Sequence, residues 1–164
     1  MNKDKILIIG ATGTVGSEIA RLLELDGHTV LRATSKTPKQ GQVQIDLATG
    51  EGIDSAMEEV DKAFLLSPPG YADHYKILSP LITAAKKHNL KKIVLMTAMG
   101  ANADENSPFR RAEVELENSG LNYNIVRPNW FMQNFNTFWV QPIKEQKLIL
   151  LPAGDAKTSF IDSR

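Results

Sequence analysis

Cysteine is absent from this chain of 164 residues, which removes disulfides, thiolate nucleophiles and cysteine-ligated metals and leaves the redox compartment undetermined. Charge of one sign is missing as well. Nineteen basic and 19 acidic side chains give a formal net charge of zero with no long block of either sign, so a nucleic-acid surface has no electrostatic support. The expected partners are small molecules, with no direct contact to nucleic acid. Long apolar runs are lacking too: the longest are strand-sized, and Met1-Asn2-Lys3-Asp4-Lys5 leads straight into a first strand without a signal-peptide apolar region. A soluble cytoplasmic protein without membrane contact is the expectation. The three histidines, His28, His74 and His88, lie in separate segments with no metal-ligand spacing, so no metal site is expected.

What is present is a glycine turn. The strand-like run Ile6 to Ile9 flows into Gly10-Ala11-Thr12-Gly13-Thr14-Val15-Gly16, and a helical pattern follows with Val15, Ile19, Leu22 and Leu23 on one face. A second β-branched run, His28 to Leu31, comes after Asp26-Gly27. Each part of such a strand–turn–helix unit has a physical role in holding a dinucleotide. Glycines permit the tight turn and let backbone approach a pyrophosphate, whose charge is met by the helix N-terminus. Gly10, Thr12, Gly13, Thr14, Val15 and Gly16 are therefore candidate cofactor-binding residues. An ordinary strand–helix connection is the competing reading, since glycine-rich turns alone are common. The spacing G-x-x-G-x-x-G, rather than G-x-G-x-x-G, favours the short-chain dehydrogenase side of the Rossmann group by resemblance.

Strand patterns recur at Lys5 to Ile9, Thr29 to Ala33, Val43 to Ile45, Ala63 to Leu66, Lys92 to Thr97 and Tyr123 to Val126. Helical patterns lie between most of them, at Thr14 to Leu25, Glu51 to Glu58, His74 to His88 and Pro108 to Asn118. Continuous apolar strands such as Ile93 to Met96 imply burial on both faces. The fold class is α/β, a doubly wound parallel sheet of Rossmann type with helices on both faces, formed by residues 1–164 as a single NAD(P)-binding domain. After Arg127-Pro128 the alternation loosens into an aromatic-rich helix candidate at Trp130 to Val140, a run at Lys147 to Leu151, Pro152-Ala153-Gly154-Asp155, and a last run at Thr158 to Ile161. A strand so near the last residue, with nothing after it to cover its face, leads us to expect a truncated chain lacking a C-terminal substrate lobe.

In a doubly wound sheet, the choice between NAD and NADP is read just past the second strand, where a carboxylate would accept from the ribose hydroxyls of NAD. Between Asp26 and Asp46 there is no acid at all, while Arg32, Ser35, Lys36 and Lys39 offer donors suited to a 2′-phosphate. NADP(H) is expected over NAD(H), with Arg32, Ser35 and Lys36 as candidates and Lys39 as a solvated loop lysine. Asp46 and Leu47 end the third strand, where Asp46 can reach an adenine edge or simply cap the next turn. Ser67 and Pro68 follow the fourth strand at the carboxyl edge where cofactors lie, or serve only as a connector. Thr97 ends the fifth strand and would face the nicotinamide.

Arg32-Ala33-Thr34-Ser35-Lys36-Thr37-Pro38, Asp46-Leu47, Phe64-Leu65-Leu66-Ser67-Pro68-Pro69, Thr97-Ala98-Met99-Gly100-Ala101, Ala112-Glu113 and Ser119-Gly120-Leu121, taken with the glycine turn, resemble the NmrA-like family of atypical short-chain dehydrogenases. The likeness continues through Arg127-Pro128-Asn129-Trp130-Phe131-Met132-Gln133-Asn134 and Pro152-Ala153-Gly154-Asp155 to Phe160-Ile161-Asp162. It implies an NADP(H)-preferring Rossmann domain, followed in the family by a helix and a small substrate lobe.

Conventional members of that superfamily use a Tyr-x-x-x-Lys pair for proton transfer. Here Tyr71, Tyr75 and Tyr123 are followed four residues later by Tyr75, Ser79 and Arg127, and Phe109 stands where many members of the resembled family carry a histidine. No catalytic residue is identified. Arg110 and Arg111 read as a solvated helix face or an anion site, and Glu113 and Glu117 as solvent-facing. Trp130, Phe131, Phe135, Phe138 and Trp139 read as packing, or as an interface to a second copy or another protein. The resemblance implies an oxidoreductase moving hydride from NADPH to a quinone-, azo- or dye-like acceptor, the cofactor carrying the chemistry. The alternatives are a non-catalytic NAD(P)-sensing regulator and an inactive fragment that retains nucleotide binding.

Overall fold

A computed structural model describes residues 3–149, 155 and 157–164. The elements in chain order are β1 (Lys5–Ile8), α1 (Thr14–Leu25), β2 (Thr29–Thr34), β3 (Gln42–Gln44), α2 (Ile53–Glu58), β4 (Lys62–Leu66), α3 (His74–Lys87), β5 (Lys92–Met96), α4 (Pro108–Glu117), β6 (Tyr123–Val126), β7 (Trp130–Phe131), α5 (Val140–Gln146) and β8 (Phe160–Ile161). The first six strands form one parallel sheet in the order β3-β2-β1-β4-β5-β6. Chain direction across the sheet reverses between β1 and β4, so a crevice opens at the carboxyl ends of these two strands.

Burial explains why the strands are apolar without interruption. Leu7 and Ile8, which point to opposite faces of β1, are both fully buried, as are Leu65 in β4 and Ile93 and Leu95 in β5. On the helical side, α2, α3 and α4 pack side by side. Ile77, Leu78, Leu81, Ile82 and Ala85 of α3 are buried at the spacing expected from the sequence. Helix starts follow local chemistry. The Asp73 carboxylate accepts from the backbone N–H of Tyr75 at 3.1 Å and of Lys76 at 3.3 Å, opening α3. Ser107 caps α4, with Pro108 as its first residue. Among the described residues no helix is long and apolar enough to cross a membrane.

A buried polar network joins α4 to the carboxyl ends of β5 and β6, and here the sequence reading is overturned. Glu113, expected to face solvent, is fully buried. Its carboxylate accepts from Arg127 Nε at 2.8 Å and Nη2 at 2.7 Å, from Thr97 Oγ1 at 2.7 Å, and from Arg110 Nη1 at 3.3 Å. The i,i+4 spacing to Glu117 suggested an exposed acidic face, but the cation that makes burial tolerable arrives from beyond β6, invisible to helix periodicity. Arg110 also binds Glu105 and Glu117, so it is committed to carboxylates and not an open anion site. Arg111 likewise lies over the Tyr75 ring, 4.0 Å from its centroid.

The second correction concerns Trp130 to Val140, read as one helix. Trp130 and Phe131 instead form β7, pairing in parallel with Phe160 and Ile161 of β8. A 3-10 turn follows at Met132–Asn136, and α5 starts only at Val140. Side chains compete with a helical start there: Asn129 Oδ1 accepts from the Trp130 N–H at 2.9 Å, and its amide donates to Ser159 Oγ at 2.9 Å. Gln133 ties down the far end through Asp162 at 2.7 Å. Trp139 is buried among Trp130, Phe135, Phe138 and Phe160, with ring centroids 5.3 to 6.3 Å away. The expected run at Lys147 to Leu151 shows no strand over its described residues and otherwise lies outside them, as do Pro152-Ala153-Gly154.

Truncating Leu65 to Ala should cost about 2–5 kcal/mol in urea unfolding, whereas the 71% exposed Leu25 should tolerate Leu25→Ala within about 0.5 kcal/mol. Burial by itself would raise the Glu113 carboxyl, but the hydrogen bonds from Arg127, Thr97 and Arg110 outweigh it and hold the group below its ordinary value. A carboxylate held low in the folded state stabilises the protein above its unfolded pKa and loses that contribution as pH falls through the folded value. Glu113→Gln should therefore cost about 2–4 kcal/mol at neutral pH, discounted for the partly exposed Arg127, with the gap to wild type narrowing as urea midpoints are taken below about pH 4.5.

Candidate dinucleotide and active site

The crevice is built first by a contact between backbones. At the end of β1 the chain turns through Gly10 with φ +71°, and α1 packs so closely behind it that a Cβ on Gly16 would sit 2.3 Å from the Gly10 carbonyl oxygen. Only glycine fits at position 16. The Gly13 N–H donates to that same carbonyl at 2.9 Å, closing the turn. Unlike α3 and α4, α1 has no side-chain cap: Gly13 occupies the cap position and leaves the first peptide N–H groups of the helix without a side-chain acceptor. Thr14, Val15 and Gly16 line a cavity of about 940 Å³ along the sheet edge. Uncapped N–H groups at the positive end of a 12-residue helix fit a pyrophosphate.

Gly10, Thr12, Gly13, Thr14, Val15, Gly16, Ser35, Lys36, Asp46, Leu47, Ser67 and Pro68 all line this cavity, so residues separated by more than fifty positions converge on one surface. At one end stand Thr34, Ser35 and Lys36. The Lys36 N–H donates to Thr34 Oγ1 at 3.2 Å, turning the chain immediately beyond β2. Asp46 combines both roles weighed for it: it lines the cavity, and its Oδ1 caps the following turn by accepting from Ala48 at 2.8 Å and Thr49 at 3.2 Å. Among the described lining residues Lys36 is basic and Asp46 is acidic, with no other of either sign.

Arg32 is placed elsewhere. Its guanidinium makes a two-pronged ion pair with Glu24 of α1, at 2.5 and 2.8 Å, and does not line the cavity. The Glu24 hydrogen bond holds the guanidinium even more firmly charged and draws the carboxyl below its usual range. Arg32 and Glu24 are eight residues apart with a helix end and a turn between them, so the pairing depends on how α1 packs against β2.

Thr97 also stands outside the first cavity, on the wall of a second one of about 580 Å³. Ser67, Pro69, Tyr71, Met96 and Phe131 line both, so the two open into each other at the ends of β4 and β5. The second cavity is walled largely by His74, Met99, Phe109, Trp130 and Asn134. His74 lies flat against Phe109, ring centroids 4.2 Å apart and planes at 7°, and its Nδ1 is 2.8 Å from Ser67 Oγ. Sequence reasoning missed Tyr71, His74 and Phe131 as site residues. In the sequence His74 reads as the start of a helix without metal-ligand spacing, and Phe131 as part of an aromatic segment.

Residues 10–148 match the model of the family described as NAD(P)H-binding. The chain is 32% identical over 171 residues to an NAD(P)H azoreductase of Xenophilus azovorans, a match covering 97% of this chain and 59% of that protein. It is also 32% identical over 168 residues to the uncharacterized oxidoreductase YesF of Bacillus subtilis, covering 99% of this chain and 58% of the other. The chain thus spans about three fifths of the length of these curated relatives. Among solved structures, a triphenylmethane reductase from Citrobacter sp. complexed with NADP(H) superposes with a TM-score of 0.72 at 18% identity, covering 92% of this chain and 58% of that one. NmrA, a negative transcriptional regulator in complex with NADP, gives 0.70 at 17% identity over 82% of this chain and 48% of its own. These two likenesses are of fold, and agree with the doubly wound parallel sheet read from the sequence. With a family model spanning residues 10–148, most of its length, the chain belongs to the NAD(P)H-binding family.

Proposed function

We propose that the protein is a reductase that binds NADPH in preference to NADH and passes hydride to a flat conjugated acceptor of quinone, azo or dye type. The observation that carries this reading is the joining of the two cavities, a polar glycine-lined cleft continuing into an aromatic- and methionine-walled chamber. The pyrophosphate rests on the N–H groups that open α1, where the helix dipole meets its charge. Lys36 and Ser35 take the 2′-phosphate, the lysine as a point charge. Arg32, held by Glu24, supports the end of β2. The reduced nicotinamide supplies hydride once bound, so the protein's own work is positioning and exclusion of water. Phe131 and Trp130 line the chamber and supply aromatic surface for a planar acceptor. The azoreductase and triphenylmethane reductase among its relatives and structural neighbours support a dye-like acceptor.

The lack of a Tyr-x-x-x-Lys pair favours a second reading, a nucleotide sensor that binds without turnover. Titrations and turnover separate the two. NADPH should bind at least about tenfold tighter than NADH by fluorescence or calorimetry, and Lys36→Glu should erase most of that difference, about 1.4 kcal/mol or more, by weakening NADPH alone. Arg32→Gln should change NADPH affinity by less than about threefold. With NADPH and a panel of quinone, azo and triphenylmethane acceptors, loss of nicotinamide absorbance is the expected result; tight binding with no oxidation by any acceptor would favour the sensor.

A further inference from the structure

Ser67 and His74 form a polar pair at the junction of the two cavities. Ser67 stands just past β4 and lines both cavities, while His74, the first residue of α3, lines the second. Stacking on Phe109 fixes the plane of the imidazole, and the 2.8 Å contact to Ser67 Oγ fixes its Nδ1 edge. The ring is therefore held toward a hydroxyl that lines both chambers. This pair sits where the hydride donor and its acceptor would meet.

Two-electron reduction of a quinone or azo group requires a proton as well as hydride. With Phe109 on α4 and no Tyr-x-x-x-Lys pair, the chain lacks the proton source that conventional members of the superfamily use. Resting on the reductase reading, we propose that Ser67 and His74 are a proton relay at the junction of the two cavities, Ser67 the catalytic residue and His74 the positioning residue that recharges it. The acceptor gains hydride from the reduced nicotinamide dinucleotide at one end of its conjugated system, and an electron pair moves to the far oxygen or nitrogen. That atom takes the Ser67 hydroxyl proton as the O–H bond breaks. The Nδ1–H bond of the His74 imidazolium breaks in turn to reprotonate the serine oxygen. The dinucleotide leaves oxidised by two electrons, the acceptor leaves with hydride and proton, and the neutral imidazole recovers its proton from water.

The groups about the ring give this relay a pH dependence. Burial lowers the His74 pKa, and Asp73, its neighbour at the helix cap, opposes that shift. Ser67 and Tyr71 from the loop after β4, Thr97 beyond β5, Phe109 of α4, and Trp130 and Asn134 share the cavity with it; none of these is a charged side chain at neutral pH. The donor is the protonated ring. Its supply grows as pH falls through the lowered pKa and is complete below it.

The test follows reduction of a quinone or azo acceptor by NADPH from about pH 5 to pH 8, alongside an NMR titration of the His74 ring in the same chain. Wild-type kcat should rise toward acid with the midpoint of the His74 resonance. Ser67→Ala and His74→Gln should each lower kcat about 100-fold and flatten that limb, with the Kd of His74→Gln for NADPH within about threefold of wild type. Ser67→Ala should also displace the His74 titration midpoint, a readout that needs no turnover. His74→Asn, which keeps a donor near Ser67 but cannot titrate, should flatten the profile and recover part of the lost rate. The relay is overturned if His74→Gln keeps the wild-type profile and rate, or if its rate loss is matched by lost NADPH affinity. A wild type that binds NADPH but reduces no acceptor overturns the reductase reading and the relay together.

Discussion

The approach of α1 to the turn after β1 is the constraint on which the rest of the structure depends. With Gly16 packed against the Gly10 carbonyl, the helix axis is aimed so that its uncapped N-terminus lies at the carboxyl edge of the sheet. That places fixed partial positive charge at the reversal point between β1 and β4, the one place where neighbouring connections diverge and leave room for a ligand. Any side chain at position 16 would push helix and strand apart, and the same movement would widen the cradle and loosen the packing of α1.

At the other end of the crevice a different interaction does the positioning. Arg127 and Glu113 neutralise each other beneath the ends of β5 and β6, and the carboxylate holds Thr97 by its hydroxyl. A buried pair of this kind adds little stability compared with an apolar filling but tolerates loss of one partner badly, so it fixes geometry more than it adds free energy. On the opposite flank Glu24 and Arg32 make a partly exposed pair that secures the end of β2 beside Ser35 and Lys36. These two pairs hold charge on either flank of the crevice, and Lys36 stands as the basic side chain on the described wall of the larger cavity.

The six strands of the large sheet and helices α1 to α4 were legible because their signals are local: apolar runs for a sheet covered on both faces, and 3.6-residue periodicity for the helices. Twelve of the cavity-lining residues were legible for a related reason, since strand ends and the loops after them converge once the sheet order is known. Glu113 was misread because its partner Arg127 lies fourteen residues away across α4 and β6. Trp130 to Val140 was misread because its helical spacing of aromatics competes with pairing to Phe160 and Ile161, a partner some thirty residues distant. His74 escaped notice as a site residue because its significance comes from Ser67 and Phe109, neither of which a histidine count can reveal.

The amino-acid order by itself determined that this chain forms a parallel α/β sheet and carries a glycine turn shaped for a dinucleotide, since turn geometry, helix capping and strand burial act over a few residues. It also determined what is unavailable, from thiol chemistry to a tyrosine–lysine proton donor. Only the tertiary structure decided that Arg32 faces Glu24 and not the cleft, that Glu113 lies buried, and that a second chamber opens beyond Met96 beside His74. Those outcomes depend on which side chains from distant segments reach one another first. Such pairings are set by packing and by the cost of leaving a buried charge alone, and neither is written in the spacing of any single segment.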